Sequence, residues 1–573
     1  MLVLHRISAL LFVMTGCLGA EPGPSSSTTA GRRELAGARS GPTPERPEAP
    51  LPEGLGEGSR DEPAEALEFE LHRGHGGGHL SWHDRWDRCA ELTVGLDPIP
   101  HRPPHPCVSV HVDGSVAFPP DLWSRLDALA AEVPTALVLG SDVRIPDTVT
   151  MEHVIALTLL DAAEGESSEP SPRRAQFPAV RYLHSRRDGF LPEGGWLEAD
   201  DVSLGVWVDR PSDVGDLATV AERVVGLEVL DTFGASFERT VGTLPNLRSV
   251  EFETPVEAGV IAALPTTLVH FSAPRADDRV LRALTRFDRL RSLALPEATL
   301  TDISPLRGRG LRRIALRRAQ LAPRAMAQLA QLRPVEHLDL SHSNVDEGIA
   351  SALGSLHELA TLSLGYTRIG DRTAEAVGQL EVHSLDLSGT AISDAGVIAL
   401  EPLDSLRSLS LRATSISRAA LAHLPPVRDL DVAWTGLGDF CDPRHRLRGL
   451  RTLDLSNGRG TRLTDGALRC LSELSRLTSL SLAGNVIGDS SMTSVASLQD
   501  LRSLDLTNTR VGDRGIEHLA SLPRLRSVQL FGLPITDRSA PTLRSMRLQS
   551  VDLRETRVSE EARGQVLDSL HIR

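Results

Sequence analysis

The stretch VHSLDLSGTAISDAGVIAL, residues 382–400, decides how this chain folds. Leu385 and Leu387 stand two apart with Asp386 between them, the period at which a strand turns alternate side chains to one face. The outer half, ISDAGVIAL, keeps apolar residues three and four apart behind a polar turn, which suits one face of a helix. Neither half buries its apolar side alone, so the unit needs neighbours to stack on. They are present. LATLSLGYTRI (359–369) precedes it and LRSLSLRATSI (406–416) follows. In all, twelve copies run from residue 290 on, anchored at Leu293, Ile314, Leu338, Leu362, Leu385, Leu409, Leu430, Leu453, Leu480, Leu504, Val528 and Val551, at spacings of 21 to 27 residues.

Composition agrees with a stacked array. The chain has 573 residues, of which only 3% are aromatic, so its core has to be built from Leu and small residues. The net charge of −15 argues against a nucleic-acid partner. All 61 cationic residues are Arg; the absence of Lys excludes any mechanism that needs a catalytic or phosphate-binding lysine.

The phrase L-x-x-L-x-L-x-x-T/N-x-I/V resembles the leucine-rich-repeat family, and its polar-Asp-x-Gly turn resembles the Thr-type repeats of ribonuclease-inhibitor-like and F-box-associated arrays. The resemblance implies an α/β solenoid: a curved parallel sheet on the concave face, with helices or short helical turns outside. Regular repeats span 285–573. Looser copies around Leu230, Val250 and Phe271 extend the array over 130–284, with a separate small α/β domain at 67–220 as the alternative. Thr367, Thr390, Thr414, Thr435, Asn485, Thr509 and Thr556 are expected to satisfy backbone groups where the chain leaves each strand. Asp371, Asp394, Asp465, Asp489, Asp513 and Asp537 are expected as helix N-caps.

Residues flanking the buried leucines face the inner surface in such a solenoid. They include an acidic column, Asp339, Asp386, Asp431, Asp454, Asp505 and Asp552, with Ser between. Tyr366, Trp434 and Phe531 are the large aromatics on it, and Arg412 and Arg554 flank the acids. Interface anchors favour Trp, Tyr and Arg, so these eleven are the candidate contacts for a partner, against the plainer reading that Ser and Asp are merely tolerated at exposed strand positions.

The N-terminal region reads differently. MLVLHRISALLFVMTGC (1–17) has the build of an export signal, and its last four residues resemble the bacterial lipoprotein signal, with Cys17 as the lipidated residue; cleavage after Ala20 is the alternative. Residues 18–66 are a Pro-, Gly- and Ser-rich tether. A stretch at 67–129 is expected to cap the array, stapled by Cys89 and Cys107; Cys441 and Cys470 form the second expected pair, though four cysteines allow three connectivities. His72, His75, His79 and His83 are candidate metal ligands, but their spacing matches no closed site.

There is no Walker loop, no G-x-S-x-G, no H-E-x-x-H and no C-x-x-C. No catalytic residue and no cofactor is implied. The expectation is a non-enzymatic protein-binding module, exported and lipid-anchored at the cell envelope. A metal-binding envelope protein or a secreted repeat effector is the alternative.

Overall fold

The computed structural model describes residues 90–93, 108–112, 122–132, 135–139, 143, 145–146, 149–154, 156–159, 173–178, 182–185, 203–208, 214, 216–230, 234–440, 446–457 and 462–569. All lie in one compact unit formed by Phe69–Ala162 and Ser167–Arg573. Cys17, the tether, His72 to His83, Cys89, Cys107 and Cys441 lie outside the described residues.

Every repeat anchor sits at the centre of a three-residue strand, from Ser292–Ala294 to Ser550–Asp552. These strands are parallel and in register, so anchors pair with anchors: Leu362 with Leu385, Leu385 with Leu409, Leu409 with Leu430. The sheet also runs upstream. Val224–Val229, Ser249–Phe252 and His270–Ser272 pair in turn, and His270–Ser272 joins Ser292–Ala294. Further strands at Ser203–Val208, Tyr182–Ser185, Ala156–Leu159, Thr135–Leu139, Val108–Val112 and Ala90–Thr93 continue it. The described residues thus hold a 21-stranded parallel sheet. Its first two strands fall inside the stretch expected as a cap.

From Arg313–Ala315 on, most strands show the same burial: centre buried, both flanks half-buried. One face of the sheet is therefore packed and the other left open. The packed face is nearly all leucine. In the anchor repeats, Leu385, Leu387, Leu409, Leu411 and Leu430 are at most 2% exposed. Rings enter the core upstream, where Phe252 meets Phe237 edgewise at 6.4 Å and Phe271 at a tilt at 5.9 Å, and where repeats are least regular. The last described helix, Glu560–Leu567, is capped by Ser559, whose hydroxyl accepts from Ala562 N.

Five of the Thr column do what their position requires: Thr367, Thr390, Thr414, Thr435 and Thr556 each donate to the carbonyl three residues back, at 2.5 to 2.7 Å, whereas the buried Thr509 hydroxyl, against expectation, has no hydrogen-bond partner among the described residues. Asn485 does more, donating to Leu482 and Leu455 carbonyls and accepting from Leu463 N.

The outer-turn aspartates differ from expectation. None of the six is an N-cap; each is the first helical residue, preceded by Gly370, Ser393, Thr464, Gly488, Gly512 or Thr536 as the cap. Their carboxylates reach across to the next repeat. Asp371 accepts from Ser393 N and Oγ at 2.8 and 2.6 Å, and Asp394 from Ser417 N and Oγ at 2.6 Å each. The glycine of the Asp-x-Gly turn makes room for this: a Cβ on Gly396 would lie 2.4 Å from Asp371 Oδ1. Repeats are thus joined twice, by the sheet inside and by a carboxylate ladder outside.

Candidate functional site

Four residues after eleven of the twelve anchors, the chain turns through a left-handed conformation. Glu297, Arg318, His342, Tyr366, Gly389, Ala413, Trp434, Gly484, Asn508, Gly532 and Glu555 all have φ between 55° and 72°. Glycine takes this shape freely, whereas a bulky L-residue pays for it. The turn keeps the inter-repeat ladder going past the strand: Tyr366 N donates to Ser388 O at 2.6 Å and Trp434 N to Ser456 O at 2.9 Å. The side chain at this position is consequently pushed out of the sheet. Tyr366 is 49% and Trp434 44% exposed, two of the four large apolar side chains exposed among the described residues.

The two aromatics stand in different company. The Tyr366 ring stacks flat on His342, 4.6 Å between centroids and 6° between planes. On its other side it lies over Gly389, where a Cβ would come within 2.5 Å of the ring. His342 is held below the usual histidine value by burial and by the nearby Arg317 and Arg318, so it stacks as a neutral ring at neutral pH. Trp434 instead carries Arg412, whose guanidinium carbon is 5.5 Å from the ring, a cation–π contact. Between Tyr366 and Trp434 in the same column stand only Gly389 and Ala413, leaving two exposed aromatics roughly 14 Å apart over a low floor.

The acidic column is in register, as Asp339, Ser363, Asp386, Ser410, Asp431 and Asp454 are successive Cα partners. Its carboxylates are less available than the sequence suggests. Each candidate aspartate spends Oδ1 on the backbone N–H two residues on: Ser341, Ser388, Ala433, Ser456, Thr507 and Arg554, at 2.8 to 3.0 Å. Aspartate is thus selected here to hold the turn off the strand, a role that the reading of merely tolerated polar residues missed. Most second oxygens are also engaged. Asp386 accepts from Ser363 at 2.9 Å, and Arg412 lies 3.8 Å from Asp431 and 3.3 Å from Asp454. Burial pushes the Asp431 carboxyl above its ordinary range, helped by neighbouring Asp454.

Phe531 and Arg554 form a second, separate group. They sit three residues past their anchors, Arg554 pairs with Asp552 at 2.7 Å, and its guanidinium carbon lies 5.7 Å from the Phe531 ring. That pairing holds Asp552 below the usual carboxylate range against the effect of burial. The structure therefore gathers Arg412, Asp431, Trp434 and Asp454 into one cluster beside Tyr366 and Asp386. Asp339, with Arg317 3.7 Å away, and Asp505 stand further along the column. His342 and Gly389 belong with Tyr366 and were not singled out from sequence; glycine and asparagine recurring at that offset were the available signal.

Other features offer less. A depression of about 570 Å³ on the helical side is lined by Asp278, Arg282, Thr301, Asp302 and Arg324, but its acids are engaged within it. Asp302 is brought down to about 2 by hydrogen bonds from Ser304 and Gln328, and Thr301 donates to Asp278. Among the described residues no group of three or more His, Cys, Asp or Glu side chains is placed to hold a metal. No described helix is long and apolar enough to cross a membrane. Cys470 is disulfide-bonded.

Comparison with known proteins follows the same lines. The likeness to solved structures includes an internalin of Listeria monocytogenes, 22% identical over 50% of this chain and 82% of that one, with a TM-score of 0.38. A leucine-rich-repeat protein of Leptospira interrogans is 18% identical over 65% of this chain and 95% of that one, TM-score 0.44. No curated protein matches. Residues 275–559 match the family model described as a leucine-rich repeat region. With its anchors, register and turn column in place, that span of the chain is a leucine-rich-repeat region.

Proposed function

We propose that this chain is a non-enzymatic binding module that docks a protein partner on the open face of its sheet, centred between Tyr366 and Trp434. The observation that supports the reading is their exposure at a position where glycine is the easiest fit. Aromatics kept at a conformational cost of about 1–2 kcal/mol each need a reason outside the fold, and buried Trp and Tyr anchors dominate protein interfaces. Arg412 against Trp434 supplies a preset cationic neighbour, and Ser388 and Ser410 beside the floor add hydroxyls within 2.8 Å of one another.

The setting we propose is the cell envelope, with export directed by residues 1–17 and a lipid on Cys17; intact mass and membrane fractionation of native protein and Cys17→Ala test it. The binding role is tested by capturing the partner on immobilised full-length protein, then reconstituting the pair from purified components. Tyr366→Ala/Trp434→Ala is expected to weaken the purified pair at least thirtyfold with the fold intact. Unchanged affinity in that variant sinks the reading.

A further inference from the structure

The edge where the chain enters each strand carries a charged column that the open face does not use. Two residues before the anchor, three consecutive repeats have Arg407, Arg428 and Arg451. They stand in one backbone ladder, Arg428 N donating to Arg407 O at 2.8 Å and Arg451 N to Arg428 O at 2.7 Å. His383 precedes them in that ladder; Thr478, Arg502 and Arg526 follow. All three arginines are exposed. Among the described residues none of them has a side-chain hydrogen bond or ion pair.

This arrangement costs the fold something. Adjacent parallel strands bring neighbours to about 4.8 Å at the backbone, and like charges side by side are destabilising. Further along the rim, burial, then Arg547 and Arg502, hold Arg526 below the usual arginine value. A chain with 76 carboxylates has ample means to pair its cations, and pairs many elsewhere, as at Arg446 with Glu401 and Arg524 with Asp500. Three in a row are left bare.

We propose that the rim of Arg407, Arg428 and Arg451 docks a short acidic segment of the protein partner, an assignment that rests on the open-face reading above. An extended peptide laid across the strands presents alternate side chains on one side every ~6.8 Å, within the span of three long side chains fanning from the ladder. Guanidinium groups take carboxylates in a two-point grip. One residue further on, Ser408, Asp429 and Thr452 are the strand-entry partners in register and offer acceptors to the segment's amides. Length selects the partner class. The net charge of −15 repels a long polyanion, whose charge runs past the rim, more than it repels a few carboxylates.

The test uses the full chain and, as probe, a labelled peptide of alternating Glu and Ser, with heparin and single-stranded DNA alongside. Binding of the peptide is expected to weaken about tenfold in Arg407→Gln/Arg428→Gln/Arg451→Gln, to vanish when the same three become Glu, and to fall with salt. Arg372→Gln/Arg514→Gln, on exposed helical positions, should leave it unchanged. Equal binding by the triple Gln variant and wild type overturns the assignment, as does tighter binding of heparin or DNA than of peptide. If the triple variant is silent while Tyr366→Ala/Trp434→Ala still loses the partner, the rim falls and the open-face reading stands. Arginine-dependent peptide binding in a chain whose aromatic variant keeps its partner gives the reverse.

Discussion

At the scale of the residue, the left-handed column separates what the backbone wants from what the surface offers. Trp434 has φ of 61°, so replacing it with glycine removes conformational strain while making the unfolded chain more flexible; the two terms are of similar size and opposite sign. Trp434→Gly is therefore expected to leave stability within about 1 kcal/mol of wild type, yet to cost the partner at least about 2 kcal/mol, some thirtyfold in affinity. Thermal unfolding and titration of the purified pair measure the two halves, and a large fall in melting temperature would make Trp434 a structural prop instead. Gly389 is the converse case. At φ of 63° and with the Tyr366 ring where a Cβ would go, Gly389→Ala should cost about 1–2 kcal/mol and dislodge Tyr366 from His342. A ring-current change at His342 by NMR checks the second effect; an unshifted signal would contradict it.

At the scale of the element, the carboxylate ladder fixes each outer helix to the next. Asp513 accepts from Thr536 N at 2.8 Å, Thr536 Oγ1 at 2.7 Å and Ser539 Oγ at 2.6 Å. Asp513→Ala should cost about 1–3 kcal/mol, the penalty for stranding such donors, and should speed hydrogen exchange at Thr536 before it does so elsewhere. The same ladder sets an acid limit. Burial works to raise Asp513 and Asp465, but hydrogen bonds from Ser539 and Thr536 in one, and from Gly488, Ser490 and Ser491 in the other, win and hold both below the ordinary aspartate range. A carboxylate depressed in the folded state binds its proton first in the unfolded chain, so stability it contributes is present above the unfolded value and lost as pH falls through the folded one. Melting temperature should accordingly drop below about pH 4, and drop less in Asp465→Asn/Asp513→Asn. Parallel curves for both proteins would place the acid-sensitive groups elsewhere.

At the scale of the molecule, each repeat packs mainly against its immediate neighbours, with Arg412 to Asp454 and Arg446 to Glu401 reaching one repeat further, so stability approximates a sum of repeat and interface terms. Leu430, 2% exposed, lies mid-array between two paired strands, while Val551, in the last strand, is half-buried. Leu430→Ala should cost about 2–5 kcal/mol and split denaturant unfolding into two phases. Val551→Ala should cost less and only fray the end. A single sharp transition in both would show that the array unfolds as one block. The uncompensated arginine rim and the largely compensated aspartates also change the electrostatic expectation for the whole face: acidity counted along the sequence overstates the field a partner meets, because Ser, Arg and the turn amides have already drawn on it.

Sequence alone determined the repeat, because period and burial are written in the same residues. Leu385 and Leu387 can only be a strand face, and a spacing of 21 to 27 residues across twelve copies can only stack. It also determined the Thr column apart from Thr509, since the hydroxyl partner of the other five lies three residues away in the same chain. What the tertiary structure decided are the relations between repeats. Asp371 reads as a cap until Ser393, 22 residues on, is seen to donate to it; Asp386 reads as a free charge until Ser363 and Ser388 do the same. Arg412 comes to bridge Asp431 and Asp454 only because parallel register lays three repeats side by side. The arginine rim escapes a linear reading for the same reason: Arg407, Arg428 and Arg451 are 21 and 23 residues apart in the chain and neighbours only in the sheet. Local partners are fixed by spacing along the chain, whereas partners across a register exist only once the strands have paired.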